Sequence, residues 1–423
     1  MPGRREVGEG AGGGLSRAVE GVRSLYVSTL EPGPRTTQCS GIQQRGDLLV
    51  EALASIGELE VLVYTAPGPA APRGTVEGVL RERWARVARV HVAAQRRGPG
   101  GRRHWHLDPL VAPRSHVWAG TSGPEQVAAL EAAAGRGFDL ILAQGVGAMQ
   151  PVLVSGAPRP PVYFDMNDIP HRLFVRRIPQ RSWPGRLSAC VRLPGILWTE
   201  RRMASASRRT FVCSELDRRY LSSRWRLPRV AVVPNAVAVP PASPVPAEPN
   251  VLFVGGLDYP PNAEAAELLI TRIWPLVRRE VPEATLRIVG RHPDRVPSRG
   301  SLPPGVELTG HLAELAGIYR STRLVCAPVR VGAGTRVKLI EAAAHGRPIV
   351  ATPLAAEGLG LRDGIEVLLA REPRALAAHC IRLLRQLDDC QQLGCAARRA
   401  AERSFDRERV VAALGALIAS DLA

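Results

Sequence analysis

Only one of the 56 basic side chains is a lysine, Lys338. A bias this strong points to a GC-rich genome in which arginine replaces lysine wherever either serves. The place of the surviving point charge is therefore informative. Aromatic residues are scarce, at 4%. The seven cysteines (Cys39, Cys190, Cys213, Cys326, Cys380, Cys390 and Cys395) are odd in number, scattered, and free of any Cys-x-x-Cys pair. That speaks against a disulfide framework or a structural metal and fits a reducing cytoplasm. No apolar run approaches the roughly 18–20 residues of a membrane span. Met1–Gly14 is rich in glycine and lacks the apolar stretch of a signal peptide. Residues 1–20 are expected to be disordered, and the protein cytoplasmic. A net charge of +17 attracts anionic partners: nucleic acid, anionic lipid or phosphorylated small molecules. No zinc-finger spacing, RNA-binding strand motif or stacked aromatic-basic run is present, so nucleic acid is not an expected partner.

What the chain does contain is a regular alternation of short β-branched runs with helical periods, the mark of α/β folds with parallel sheets. A proline-dense stretch, Val239–Pro249, reads as an extended linker between two such regions. Strands are expected at Ser24–Thr29, Glu60–Thr65, Val87–Ala93, Phe138–Ala143, Pro161–Asp165, Thr210–Cys213 and Val230–Val233 before it. After it they are expected at Asn250–Val254, Thr285–Val289, Val306–Thr309, Arg323–Ala327, Pro348–Ala351 and Glu366–Leu369. Helices are expected at Gln43–Ser55, Pro124–Ala134, Leu197–Ser207 and Ser214–Leu221, then at Asn262–Arg279, Leu312–Tyr319, Thr335–His345 and Arg374–Leu387. Gln95–Gly120, rich in Arg, His, Trp and Gly, reads as a long loop. The division is a first domain at 21–238, the linker at 239–249, a second domain at 250–390, and helices over 391–423 that are expected to pack back on the first domain. Two doubly wound domains in tandem should face each other across a cleft at the carboxyl ends of their strands, where ligands bind in open α/β sheets.

The lone lysine lies in Gly332-Ala333-Gly334-Thr335-Arg336-Val337-Lys338-Leu339-Ile340-Glu341. A helix from Thr335 would put Gly334, Lys338, Glu341 and His345 on one face, opposite Val337, Ile340 and Ala344. The glycines let the backbone approach an anion, the helix start offers unpaired N–H groups, and Arg336 and Lys338 add full charges. Glu341, one turn on, suits a vicinal diol such as a ribose. A phosphate end and a diol end one turn apart describe a nucleotide diphosphate. The plainer reading is an ordinary helix with a Lys338–Glu341 surface pair.

Gly-x-Gly-x-Arg-x-Lys-x-x-Glu-Ala-x-Ala-x-Gly-x-Pro-Ile-Val-Ala-Thr resembles the donor-site motif of GT-B glycosyltransferases, most closely family 4 (glycosyl transferases group 1). Pro234-Asn235-Ala236-Val237, Val254-Gly255-Gly256-Leu257 with Pro261-Asn262, Leu286–Gly290, Val306–Gly310 and Glu357-Gly358-Leu359 are similar to further landmarks of that family. Phe164–Asp168, Arg172, Glu200 and Ser214-Glu215 echo it in the first half. The resemblance implies a GT-B architecture, with two Rossmann-like domains facing an interdomain cleft. It implies transfer of a sugar from a nucleotide-diphosphate sugar with retained anomeric configuration, no metal, and no cofactor beyond the donor. Arg336 and Lys338 would then stabilise the departing diphosphate and Glu341 would bind the ribose. Gly332, Ala333, Gly334 and Thr335 would lie under the diphosphate and sugar, Gly256 would join the donor site, and Gly290 and Arg291 would line the base pocket. Many members carry a glutamate where this chain has Ala333, and some carry a basic pair where it has Asp258–Asn262.

Asp165 and Asp168 follow a strand end, and either could orient an acceptor hydroxyl or cap a turn. Asp168 is taken as the catalytic candidate. Gly41, Asp165, His171 and Arg172 are taken as acceptor-side residues, for a polysaccharide, lipid-linked or other glycoconjugate acceptor. His104 and His106 suit loop surface better than metal. Arg172–Arg209, with Trp183, Leu187 and Trp198 among its arginines, reads either as a face for an anionic membrane or as a solvated surface. An epimerase of the same fold and a catalytically silent sugar-nucleotide binder remain alternatives.

Overall fold

A computed structural model describes residues 21–29, 40–65, 73–94, 123–296, 302–312 and 314–423. The N-terminal segment, Cys39 and the loop carrying His104 and His106 lie outside the described residues. The first domain is built on seven parallel strands: β1 (Val22–Ser28), β2 (Gly57–Thr65), β3 (Arg89–Ala94), β4 (Leu140–Gln144), β5 (Val162–Asn167), β6 (Arg209–Val212) and β7 (Val230–Val232). Their order is β3-β2-β1-β4-β5-β6-β7. The second has β8 (Asn250–Val254), β9 (Thr285–Val289), β10 (Val306–Gly310), β11 (Leu324–Ala327), β12 (Ile349–Ala351) and β13 (Leu368–Leu369), in the order β10-β9-β8-β11-β12-β13. Every pairing is parallel, for example Leu25 with Glu60 and with Ile141, and Leu252 with Arg287 and with Val325. Parallel sheets are covered on both faces, so their strands are continuous apolar runs. Accordingly Leu25, Tyr26 and Val27, Val251–Val254 and Leu324–Ala327 are all buried.

The helices of the first domain are α1 (Gly41–Ala54), α2 (Arg73–Arg83), α3 (Pro124–Ala134), α4 (Gly145–Val154), α5 (Pro170–Arg177), α6 (Trp183–Ala206) and α7 (Glu215–Arg224). Helix α6 starts far ahead of the expected Leu197, because its internal Pro194 breaks the sequence pattern without ending the helix. In the second domain the helix expected over Asn262–Arg279 divides into α8 (Pro260–Leu268), a π turn (Leu269–Ile273) and α9 (Trp274–Glu280). Pro275 has no N–H to return to Thr271, and the widened turn accommodates that loss. The helix expected at Leu312–Tyr319 is reduced to α10 (Ala316–Arg320). Helix α11 (Val337–Ala344) is followed by α12 (Pro373–Arg385), α13 (Leu387–Ser404) and α14 (Arg407–Leu422).

The proline-rich stretch is irregular but pinned to the second domain. Buried Arg347 donates to the carbonyls of Ser243 and Pro244, Arg323 donates to that of Ala247, and Val245 is buried in that domain's core. Helix α14 crosses to the first domain, where Val410, Val411, Leu414 and Ile418 join the core around β1 and α1. Each such side chain contributes about 1.5–3 kcal/mol by burial. Arg407 pairs with Glu51, Arg209 pairs with Asp421, and Val237 bridges Asp406, so both domains are tied through this helix.

Candidate functional site

The strand order reverses between β1 and β4 and between β8 and β11, and the carboxyl ends of these strands meet in one cavity of about 400 Å³. From the first domain it is lined by Ser40, Gly41, Gln44 and Asp168. From the second it is lined by Gly255, Gly256, Asp258, Tyr259, Asn262, Arg291, Ala333, Thr335, Arg336, Lys338 and Glu341, with Val254, Val329 and Val337 as its apolar patches. A larger hollow of about 590 Å³, beside Asp47, Arg83, Trp84 and Arg407, lies at a distance from the strand ends.

The glycine loop has a specific shape. Gly332 (φ 140°) and Gly334 (φ 74°) occupy backbone conformations that side chains disfavour. A Cβ on Gly334 would fall 1.7 Å from Asp168 Oδ1, so the first domain's carboxylate rests directly on the loop. Helix α11 begins at Val337, two residues later than the sequence pattern indicates. Gly334 and Thr335 belong to the turn, and the Thr335 hydroxyl is engaged by Asn235 Nδ2 at 2.8 Å. Arg336 stands at the cap position. Its guanidinium donates to the carbonyls of Ala333 and Gly334, and among the described residues its buried Nη2 has no hydrogen-bond partner.

Lys338 sits in the first turn of α11. Its Nζ donates to Asn262 Oδ1 at 2.8 Å and lies 4.3 Å from the centre of the Phe253 ring. Burial, and then the nearby Arg336 charge, bring its pKa down to about 7. Asn262 Nδ2 donates in turn to the Gly256 carbonyl at 2.9 Å. Glu341 does not form a surface pair with Lys338. It accepts from the Tyr319 hydroxyl at 3.0 Å and from Gln44 Nε2 at 3.3 Å, and burial raises its pKa. Tyr319 stacks on His345 at 4.8 Å. Asp168 is raised to about 6 by burial, with Arg336 as the main opposing influence.

Three of the expected acceptor-side residues are engaged by neighbouring side chains. Asp165 is fully buried, and both its oxygens accept from Arg45 Nε at 2.9 Å, so it does not line the cavity. Arg45 also donates to the Val233 carbonyl and to Asn235 Oδ1, which places Asn235 for its bond to Thr335 in the other domain. His171 is buried between Glu200 (2.7 Å) and Tyr220 (2.8 Å). Arg172 pairs with Asp217 and reaches Glu357 at 3.1 Å. Arg176 joins it on Glu357 at 2.7 Å and donates to the Gly332 carbonyl at 2.8 Å. These arginines therefore clamp the two domains at the glycine loop.

The remaining expected residues divide by position. Gly41 lines the cavity at the start of α1, where a Cβ would meet Val337 Cγ2 at 2.9 Å. Gly256 and Arg291 line it, with Arg291 paired to Asp258 at 3.6 Å. Gly290 lies behind them, since its missing Cβ makes room for the Gly255 carbonyl. Gln44, Asn262 and Tyr319 were not assigned site roles from sequence. Gln44 had a usable signal, three residues beyond Gly41 on one helix face. Tyr319 had none.

Residues 248–386, within the second domain, match the family model described as "Glycosyl transferases group 1". The described architecture is the GT-B fold. Sucrose-phosphate synthase from Thermosynechococcus elongatus superimposes with a TM-score of 0.68 at 19% identity, over 94% of this chain and 98% of that one. HepE from Anabaena, in complex with UDP-glucose, gives 0.63 at 16% identity, over 94% and 99%. TarM from S. aureus, in complex with Fondaparinux, alpha-GlcNAc-glycerol and UDP, gives 0.64 at 10% identity, over 94% and 99%. An uncharacterized 44.6 kDa protein in the cps region of Klebsiella pneumoniae is 23% identical over 175 residues, 39% of this chain. The match spans 45% of that relative's length.

Proposed function

We propose, from a group 1 glycosyl transferase domain closing a cationic cleft, that this protein moves a sugar from a nucleotide-diphosphate sugar to a hydroxyl of a polysaccharide, lipid-linked or other glycoconjugate acceptor. One observation carries the reading. Arg336, with a partnerless buried nitrogen, and Lys338, held in a poorly solvated site, converge on one cavity with Glu341 a turn further along. Two cations seeking negative charge beside a diol-binding carboxylate match a nucleoside diphosphate. The complexes of HepE with UDP-glucose and of TarM with UDP support the ligand class, and the cps-region relative supports a polysaccharide setting.

The proposed reaction retains the anomeric configuration. The bond from the sugar's anomeric carbon to the phosphate oxygen breaks, and a bond from that carbon to the acceptor oxygen forms on the same face. The acceptor's proton passes to the departing diphosphate. Arg336, Lys338 and the loop amides stabilise the charge that develops on the phosphate, a type of contact whose loss commonly costs about 10²–10³ in rate. Asp168, at the glycine loop and ionised near neutral pH, orients the incoming hydroxyl.

The test is stabilisation by UDP, GDP, ADP and dTDP, followed by turnover of the matching nucleotide sugar and NMR of the product's anomeric centre. One nucleotide should stabilise the wild type and not Lys338→Ala, and the product should keep the donor's configuration. No stabilisation by any of the four would remove the diphosphate assignment. Binding without turnover would leave a silent sugar-nucleotide binder, and an isomerised donor would point to an epimerase.

A further inference from the structure

Helix α6 presents an exposed apolar stripe that the donor cleft does not use. Trp183 is 77% exposed, Leu187 61% and Trp198 42%, and Cys190 and Pro194 are exposed between them. The spacings of 4, 3, 4 and 4 residues put all five within one narrow arc of the helix. From Trp183 to Trp198 the stripe runs about 22 Å along the axis. Exposed arginines accompany it. Arg201 continues the stripe, Arg202 lies 5.3 Å from the centre of the Trp198 ring, and Arg186 borders the other end. From Arg172 to Arg209 the sequence holds ten arginines and one acidic residue, Glu200, which is buried against His171.

We infer that this face docks on an anionic lipid surface, with α6 lying in the plane of the headgroups. A single-helix stripe with a tryptophan at each end and exposed arginines beside it suits the boundary between acyl chains and charged headgroups. Self-association through the same face would set arginine against arginine. The position is also suitable. Just before α6, Arg176 holds the Gly332 carbonyl and Arg177 lies over the ring of Tyr259, which lines the donor cavity. Docking would therefore bring the cleft close to the lipid surface and to an amphiphilic acceptor. That last consequence rests on the proposed transfer reaction, whereas the docking itself does not.

The test uses the full chain and no sugar nucleotide. Co-sedimentation is measured with vesicles of phosphatidylcholine alone and of phosphatidylcholine mixed with phosphatidylglycerol, at low and high salt. The wild type should bind the anionic vesicles and release them at high salt. An arginine near an anionic surface contributes about five-fold in partitioning, so Arg201→Ala with Arg202→Ala should lower binding by about 25-fold. Trp183→Ser with Leu187→Ser should lower it by at least ten-fold. All four positions are exposed, so thermal unfolding should be unchanged. Equal binding to neutral and anionic vesicles, or binding indifferent to both double variants, would overturn the inference. So would failure to bind any vesicle, and a shift from dimer to monomer in the apolar variant would then assign the face to self-association. Loss of vesicle binding with nucleotide stabilisation intact separates this surface from the donor site.

Discussion

Replacing Lys338 with methionine should stabilise the free protein while removing its affinity for diphosphates. The folded site lowers the lysine's pKa from 10.5 to about 7, chiefly because burial strips water from the ammonium and secondly because Arg336 lies near. A tenfold change in proton affinity is about 1.4 kcal/mol, so at pH 6 the charged lysine costs the fold on the order of 5 kcal/mol relative to the unfolded chain. Part of this would not be recovered. The Asn262 hydrogen bond is lost, and the site is only half-buried, so screening reduces the penalty. A net gain of about 1–3 kcal/mol is expected for Lys338→Met at pH 6, with the methionine stem kept over Phe253. The sign with pH follows from the depressed folded value. Between about 7 and 10.5 the unfolded chain binds more protons than the folded one. Wild-type stability from this group therefore rises with pH through that window, and the variant's advantage closes. Denaturant unfolding of both proteins at pH 6 and pH 10 measures this. Saturating nucleotide, at roughly 100 times its dissociation constant, should add about 2.7 kcal/mol to the wild type and nothing to the variant. A Lys338→Met protein less stable than wild type at pH 6 would refute the reasoning, because the ammonium would then be stabilised by the free site.

Gly334→Ala should abolish turnover, since its Cβ would occupy the position of the Asp168 carboxylate and φ is 74°; wild-type donor kinetics in this variant would contradict the contact. Asn262→Ala releases Lys338 from the Gly256 turn and should raise the donor KM about tenfold, in line with one charge-assisted hydrogen bond, with a smaller change in kcat. Arg45→Ala leaves Asp165 charged and unpaired in the core, so urea unfolding should show a loss of about 3–5 kcal/mol. If Asp165→Asn instead lowered kcat with unchanged stability, Asp165 would return to the cleft as an acceptor ligand.

The strands were legible because parallel sheets bury both faces, leaving continuous apolar runs such as Val251–Val254 and Leu324–Ala327 that need no partner information to recognise. The arginine-rich helices α5 and α6 were poorly legible. Their polar faces, and the internal proline of α6, erase the apolar period; α6 is held helical by packing against β5, and α5 by packing against α6. The start of α11 was misplaced by two residues because the apolar period from Val337 does not mark the first turn, while Asn235, a hundred residues upstream, engages Thr335 in the turn before it. Asp165 illustrates the general limit. A carboxylate after a strand reads as a cleft group until Arg45, 120 residues away, is found beside it. The burial of His171 was hidden for the same reason, since Glu200 and Tyr220 reach it only through the fold.

The same long-range logic bears on the alanine at position 333. The resemblance to family 4 leads one to expect a glutamate there, eight residues before Glu341, and its absence takes a carboxylate away from the glycine loop. The fold brings another carboxylate to that loop from the opposite domain, where Asp168 packs against Gly334. That arrangement depends on how the domains are held together. Arg172 and Arg176 fix Glu357 and the Gly332 carbonyl, and the Asp165–Arg45–Asn235 chain ends on Thr335. In this protein the acid at the glycine loop is therefore a property of domain closure rather than of the loop's own sequence. Any change that parts the domains would withdraw Asp168 from the site while leaving Arg336, Lys338 and Glu341 in place on the second domain.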